Sequence, residues 1–264
     1  MTFQPFVPTG GLAGWRFLQR TEETQRAAHG NGAMQQRDLA YFREKIGQVD
    51  TPQQLVSDYR LLSVALGAFG LDGDIANKFL IRRVLEDGTL KPDALSSKLS
   101  DKRYRDMAKA FGFGDFSMPN TKLSDFADKI EARYRDLRFE ADMGRASETM
   151  RLALNAQREL PQLAASPGSN RTKWFTLMGT PPLRKVMETA LGLPKTFATL
   201  PIDRQLETFL DRAQARFGTS DLSKLGRGAS LDRLLDRFTA AEPAGTIAGG
   251  AQVSSPALVL LRGY

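Results

Sequence analysis

The 264-residue chain contains no cysteine and a single histidine, His29. The first absence excludes disulfides, thiolate nucleophiles and cysteine-bound metals. The second excludes multi-histidine metal sites, and a catalytic triad would have to use this one imidazole. Long apolar runs are lacking too. Ala257-Leu-Val-Leu-Leu261 is far shorter than the roughly 20 residues a membrane helix needs, so no transmembrane segment is expected. Met1-Thr-Phe-Gln-Pro-Phe-Val-Pro8 has no basic segment followed by an apolar one, so no Sec-type signal is expected. Cytoplasmic residence, or export to an outer assembly without such a signal, is the corresponding expectation. Segments with strict apolar–polar alternation are also missing, which argues against strands.

Several catalytic and binding patterns begin and then fail. Asp72-Gly-Asp74 opens like a calcium loop, but Ala76 and Asn77 stand where a further ligand and a glycine are needed. Gly226-Arg-Gly228 lacks the third glycine and the preceding strand of a dinucleotide fingerprint. The acidic pairs Glu22/Glu23, Asp72/Asp74 and Glu86/Asp87 have no sequence sign of burial, so none reads as a tuned acid–base pair. His29 sits beside Gly30 at a helix end, where an imidazole commonly serves as a favourable terminal charge. The expectation is therefore a protein that is not an enzyme and needs no cofactor or metal.

What the chain does contain is charge and helical periodicity. Its formal net charge is +7, from 37 Lys and Arg against 30 Asp and Glu. The bias lies in residues 146–200, which carry Arg151, Arg158, Arg171, Lys173, Arg184, Lys185 and Lys195. These cations are spread along the segment, whereas nucleic-acid binders group theirs on one face. A nucleic-acid-binding regulator using residues 146–200 is the alternative reading, and nucleic acid is not the expected partner.

Apolar spacing at i, i+3/i+4 and i+7 predicts helices along nearly the whole chain. Leu39, Phe42 and Ile46 share one face, closed by Gly47. Thr51-Pro52 with Gln54 forms a start signal of the capping-box type, followed by Leu55, Tyr59, Leu62, Leu66 and Phe69 on one predicted helix. Asp74 is expected to cap a helix with Ile75, Phe79, Leu80 and Val84 inward, and Ser100 another with Tyr104, Met107 and Phe111. Ser124 opens the longest predicted stretch, running past Gly144 to a break at Pro161, with Asp128, Lys129, Glu131, Arg133, Arg135 and Asp136 on its solvated side. Ala65-Leu-Gly-Ala-Phe-Gly-Leu71 is similar to Ala190-Leu-Gly-Leu-Pro194, and each precedes a helix of like pattern. The predicted fold is an all-α, multi-helix orthogonal or bundle-like array of two related helical modules joined by a long central helix.

The expected organisation is an extended arm over residues 1–11 and a helical module over 12–163 that includes the central helix. A loop over 164–170, a second module over 171–242 and a flexible tail over 243–264 follow. Trp174 and Phe175 suit either core packing or an aromatic docking site. Leu258, Val259, Leu260 and Leu261 suit either folding back on the chain's own helices or docking on a partner, tethered by the uncharged, Gly- and Ala-rich stretch 244–255. These six are the candidate partner-binding residues.

Longer strings are more distinctive than generic helix. They are Leu61 to Phe79 (Leu-Leu-Ser-Val-Ala-Leu-Gly-Ala-Phe-Gly-Leu-Asp-Gly-Asp-Ile-Ala-Asn-Lys-Phe), Asp101-Lys-Arg-Tyr104, Ala110-Phe-Gly-Phe113, Trp174-Phe175, Leu191-Gly-Leu-Pro194 and Ile202-Asp-Arg-Gln-Leu206. Together, over about residues 10–240, the chain resembles an uncharacterised alphaproteobacterial family encoded in flagellar gene clusters. The resemblance carries no known chemistry and transfers no catalytic residue. It implies a non-enzymatic binding or structural role in flagellar assembly or the basal body, with flagellar proteins as partners.

Overall fold

The structure, a computed structural model, describes residues 3–241. Among these there are fourteen α-helices, three short 3-10 helices and no strand, so the fold is all-α. Helices α1 (Gly11–Gly30), α2 (Ala33–Ile46), α3 (Pro52–Ser57) and α4 (Tyr59–Gly67) lead to a 3-10 turn over Asp72–Asp74. Then come α5 (Lys78–Asp87), α6 (Leu95–Lys98) and α7 (Lys102–Phe111), and a second 3-10 turn over Asn120–Lys122. Helices α8 (Phe126–Ala146), α9 (Glu148–Ala165), α10 (Asn170–Met178) and α11 (Pro181–Leu191) follow. After a third 3-10 turn, Lys195–Thr199, the described chain ends with α12 (Ile202–Phe217), α13 (Leu222–Leu225) and α14 (Gly228–Ala241).

The chain forms two compact units, one built from residues 22–142 with the segment up to Pro5, the other from Phe6–Thr21 with residues from Met143 onward. The core of the first joins Leu39, Phe42 and Ile46 of α2 to Leu62 and Leu66 of α4, Ile81 and Val84 of α5, and Tyr104 and Phe111 of α7. Phe111 is a hub, with its ring 6.4 Å from Phe69, 5.7 Å from Phe113 and 5.1 Å from Phe126. In the second unit α11 packs on α9 and α14, and α13 packs on α9. Leu160 and Ala164 from α9, Met187 and Leu191 from α11, and Leu234 and Phe238 from α14 are buried there.

Local start and stop signals act as read. Thr51 Oγ1 accepts from the Gln54 amide while Gln54 Oε1 accepts from the Thr51 amide, and Pro52 occupies the first turn of α3. Asp58 then breaks the predicted continuous helix. Its carboxylate accepts from the Arg60 and Leu61 amides at 2.9 and 3.0 Å, starting α4 anew, and from the Tyr41 hydroxyl at 2.6 Å. Burial alone would raise this carboxyl's pKa, but the hydrogen bonds from Tyr41 and the two amides outweigh it and hold it below the ordinary value. Because the folded value is depressed, the associated stability is present above the ordinary carboxylate range and is lost as pH falls below about 4. Asp58→Ala should therefore cost about 1 kcal/mol near neutral pH, a difference that shrinks in denaturation curves recorded toward pH 3.

Other expectations are corrected by tertiary context. With the break at Asp58, Tyr59 leaves the Leu55 face and is exposed. Helix α5 starts only at Lys78, with Asn77 and not Asp74 at its cap position, and buries Ile81, Val84 and Leu85. Phe79 lies about 200° around the helix from Ile81 and is 73% exposed. Asp101, rather than Ser100, caps α7 by accepting from the Arg103 amide. The long central stretch divides at Ser147, whose side chain caps α9, and α9 continues through Pro161 to Ala165. Glu131 is not on a solvated face. It is 3% exposed and accepts two bonds from Arg43, each 2.9 Å.

The element order repeats. A long helix (α1, α8) is followed by α2, α3, α4 in one half and α9, α10, α11 in the other, each set closing on a 3-10 turn. A longer helix (α5, α12), a four-residue helix (α6, α13) and a final helix (α7, α14) complete each half. Glycines of positive φ recur after corresponding helices, Gly70 and Gly192 before the 3-10 turns, Gly88 and Gly218 after α5 and α12. The packing is shared only in part. Helix α2 rests on α4 as α9 rests on α11, but α7 packs chiefly on α5 and α6, whereas α14 packs on α9 and α11.

Candidate interaction surface

Trp174 is fully buried. Its ring stacks 5.5 Å from Phe209, and its Nε1 donates to the Ser220 carbonyl at 2.8 Å. Its neighbours on α10 work toward the same end. Asn170 donates to the Ser220 carbonyl and accepts from the Leu222 amide, at 3.0 and 2.9 Å. Lys173 Nζ reaches the Ala164 carbonyl at 2.8 Å and Ser223 Oγ at 2.9 Å. Helix α10 is thus a clamp on the turn leading into α13, and Trp174 has no face left for a partner. Phe175 is half-buried, with the Arg171 guanidinium 5.3 Å from its ring centre. Leu258, Val259, Leu260 and Leu261 lie outside the described residues.

The cations of residues 146–200 are largely engaged locally. Arg151 pairs with Glu148, Arg158 with Glu159, Arg171 with Asp203 and Arg184 with Glu188, while Lys173 is buried.

His29, on the last turn of α1, is buried, a position that a helix-end charge did not foretell. Its Nε2 is 2.9 Å from Asp142 Oδ2, and its ring meets Phe139 edge-on at 5.6 Å. It borders a cavity of about 340 Å³ lined also by Arg26, Arg135, Asp136 and Phe139. The charges there are matched. Arg26 bonds Glu22 at 2.8 Å and Asp136 at 3.0 Å and lies over Phe139, and Arg135 reaches Glu131 at 3.3 Å. Sequence alone points to no partner for His29, because Asp142 is 113 positions away. Of the calcium-like acids, Asp74 accepts from Asn77 and Asp72 faces Arg138. Among the described residues no group of three or more His, Asp and Glu is placed to hold a metal ion.

A different surface stands out on α7 and the loops beside it. Tyr104, Met107, Ala108 and Phe111 form the inward face of α7. Burial, followed by a hydrogen bond to Asp74, pushes the Tyr104 hydroxyl up to about 12, so the group is a neutral packing element. Lys102, Arg105 and Lys109 occupy the outward face at i, i+3 and i+7, within a wedge of about 60°. Lys98 precedes them at the end of α6. All four are exposed, and among the described residues none forms an ion pair with a carboxylate; Asp106, also exposed, shares their side of the helix, about 40° from Lys102.

This stripe ends at a tightly held pair of loops. Gly112 closes α7 in the left-handed conformation. Asp115 then accepts from the Thr89 amide at 2.6 Å, the Thr89 hydroxyl at 2.8 Å and the Leu90 amide at 3.0 Å. Gly114 lies so close to the end of α5 that a Cβ there would sit 2.4 Å from the Glu86 carbonyl oxygen, a contact only glycine permits. Ser96 Oγ donates to the Gly88 carbonyl, and Asn120 to the Ala110 carbonyl. From this fixed frame Leu90, Phe116 and Met118 project with 71%, 54% and 59% exposure. Sequence alone marks Lys102–Phe111 as a basic-aromatic helix but gives no sign of the exposed loop tips beside it. The i, i+3, i+7 cation spacing was a visible signal, whereas the Asp115 tie between distant loops was not.

A crystal structure of a protein from Agrobacterium tumefaciens, determined in a structural-genomics programme, superposes with a TM-score of 0.68 at 23% identity. The alignment covers 91% of this chain and 100% of that one, so the two share a fold. No curated protein matches. The family described as "Protein of unknown function (DUF1217)" matches residues 68–227, which run from the end of α4 to the turn before α14 and include the α7 surface and the α10 clamp. With more than half its length matched, the chain belongs to the DUF1217 family.

Proposed function

We propose that this protein is a non-enzymatic binding or structural component of flagellar assembly or of the flagellar basal body, with flagellar proteins as partners. The flagellar part of this reading comes from the family resemblance of the strings Leu61–Phe79, Ala110–Phe113 and Leu191–Pro194. The observation that carries the binding role is the outward placement of large apolar groups on an ordered frame. Phe79, Met34 and Tyr59 are all more than half exposed. Such exposure costs solubility and commonly marks contact sites. The cavity beside His29 fits the non-enzymatic part, since Arg26 and Arg135 on its wall are held by Glu22, Asp136 and Glu131, and the imidazole is itself engaged with Asp142.

The nucleic-acid alternative draws less support, because the cations of residues 146–200 are mostly held in local ion pairs or buried. Deleting the gene in its motile host and scoring swimming and flagellar number tests the proposal. Impaired motility, restored by the intact gene, is expected. Normal swimming and normal flagella in the deletion strain would remove the flagellar reading.

A further inference from the structure

We infer that the outward face of α7 and the adjoining loop tips form a docking surface for an anionic lipid bilayer. The inference goes beyond the flagellar reading and does not depend on it. Charge is the first ground. Lys98, Lys102, Arg105 and Lys109 are exposed and, among the described residues, form no ion pair with a carboxylate, unlike Arg43, Arg60, Arg151, Arg171 and Arg184; with Asp106 the one acid among them on α7, the face keeps a clear positive excess. Along α7 the stripe extends about 10 Å, a spread that suits the diffuse negative field of a headgroup layer.

The second ground is the apolar tips at the end of that stripe. Gly112 lies against the Phe116 ring and Asn120, and Asn120 in turn bonds the Ala110 carbonyl, so Phe116 stands at the C-terminal end of the stripe. Leu90 is tied to the same place through Asp115. Leu, Phe and Met at exposed loop tips can enter the boundary between headgroups and acyl chains, while long Lys and Arg stems keep their charges at headgroup level. A protein hot spot draws instead on Trp, Tyr and Arg anchors seated in pockets. A nucleic-acid surface draws on polar or stacking groups, and Leu90 and Met118 offer neither.

Flotation of the full chain with vesicles tests this. The probes are phosphatidylcholine vesicles with about one-third phosphatidylglycerol, and phosphatidylcholine alone. Binding to the anionic vesicles only, weakening as salt rises, is expected. The variant Lys102→Glu/Arg105→Glu/Lys109→Glu should lose at least about 100-fold in vesicle affinity, and its neutral counterpart Lys102→Gln/Arg105→Gln/Lys109→Gln a smaller but clear amount. Leu90→Ser/Phe116→Ser/Met118→Ser should weaken binding without removing its salt dependence. Unchanged helical circular dichroism keeps these results interpretable, since all six positions are exposed. No binding to anionic vesicles, equal binding to neutral ones, or full retention by the charge-reversed variant would overturn the inference. So would binding to duplex DNA, lost on charge reversal, in the absence of any vesicle binding, which would reassign the stripe to nucleic acid.

Discussion

Replacing Trp174 by alanine should destabilise the second unit by about 3–5 kcal/mol, the largest effect expected of any single substitution here. The indole is fully buried and stacked on Phe209, which also packs edge-on against Phe197 at 4.9 Å. Truncation removes that packing, opens a cavity, and leaves the Ser220 carbonyl with Asn170 as its remaining side-chain donor. Because α10, α13 and α9 converge through Lys173 and Asn170, the loss should spread to the α13 turn. Trp174→Phe keeps most of the ring and loses one hydrogen bond, so its cost should be about 1–2 kcal/mol. Denaturant unfolding followed by tryptophan fluorescence and by circular dichroism would measure both. Two units are present, so the effect is to be read in the transition of the second unit and not as one global value.

Arg43→Met should be the next most damaging, and in the other unit. Arg43 makes a two-pronged bond to buried Glu131 and a 2.6 Å contact to exposed Asp128. The bonds to Glu131, then the one to Asp128, hold the guanidinium charged far above its already high ordinary range. Removing it leaves the buried Glu131 carboxylate with the more distant Arg135, at 3.3 Å, as its cation. Breaking a buried pair from one side commonly costs 3–5 kcal/mol, and the Arg135 contact and the half-exposed position of Arg43 reduce that to about 2–3 kcal/mol. Arg43→Lys restores charge but not the planar fork and should fall between the two. Thermal unfolding of the three proteins side by side gives the order directly.

The signals that were legible in sequence are those that act within one turn. Thr51-Pro52-Gln54 specifies its own helix start, and Gly47 follows the helix it is expected to close. The all-α architecture needed nothing more. The repeated helix order was visible only as the Ala-Leu-Gly similarity, because helices of like order can tolerate wide changes in sequence and length. What was misread depends on which face a neighbour covers. Phe79 and Ile81 are equally apolar, and only the packing of α5 on α3 and α7 decides that Ile81 turns inward. Glu131 and Lys173 look like ordinary surface charges until Arg43 and Ser223 are brought to them from far along the chain. The site followed the same division. The cation stripe of α7 obeys a local period, but the exposure of Leu90, Phe116 and Met118 depends on Asp115 joining two loops 25 positions apart.

Complementation of the deletion strain tests the central claim, that the protein acts by docking and not by catalysis. The decisive allele is His29→Gln, which keeps a hydrogen-bonding group facing Asp142 while removing the one imidazole in the chain. If the protein works through its surface, this allele, expressed at the wild-type level and folded by circular dichroism, restores swimming fully. An allele carrying Leu90→Ser, Phe116→Ser and Met118→Ser, equally folded, does not. The contrary result, a folded His29→Gln protein as inactive as the deletion beside a fully active surface variant, would place function in the His29 cavity and contradict the account.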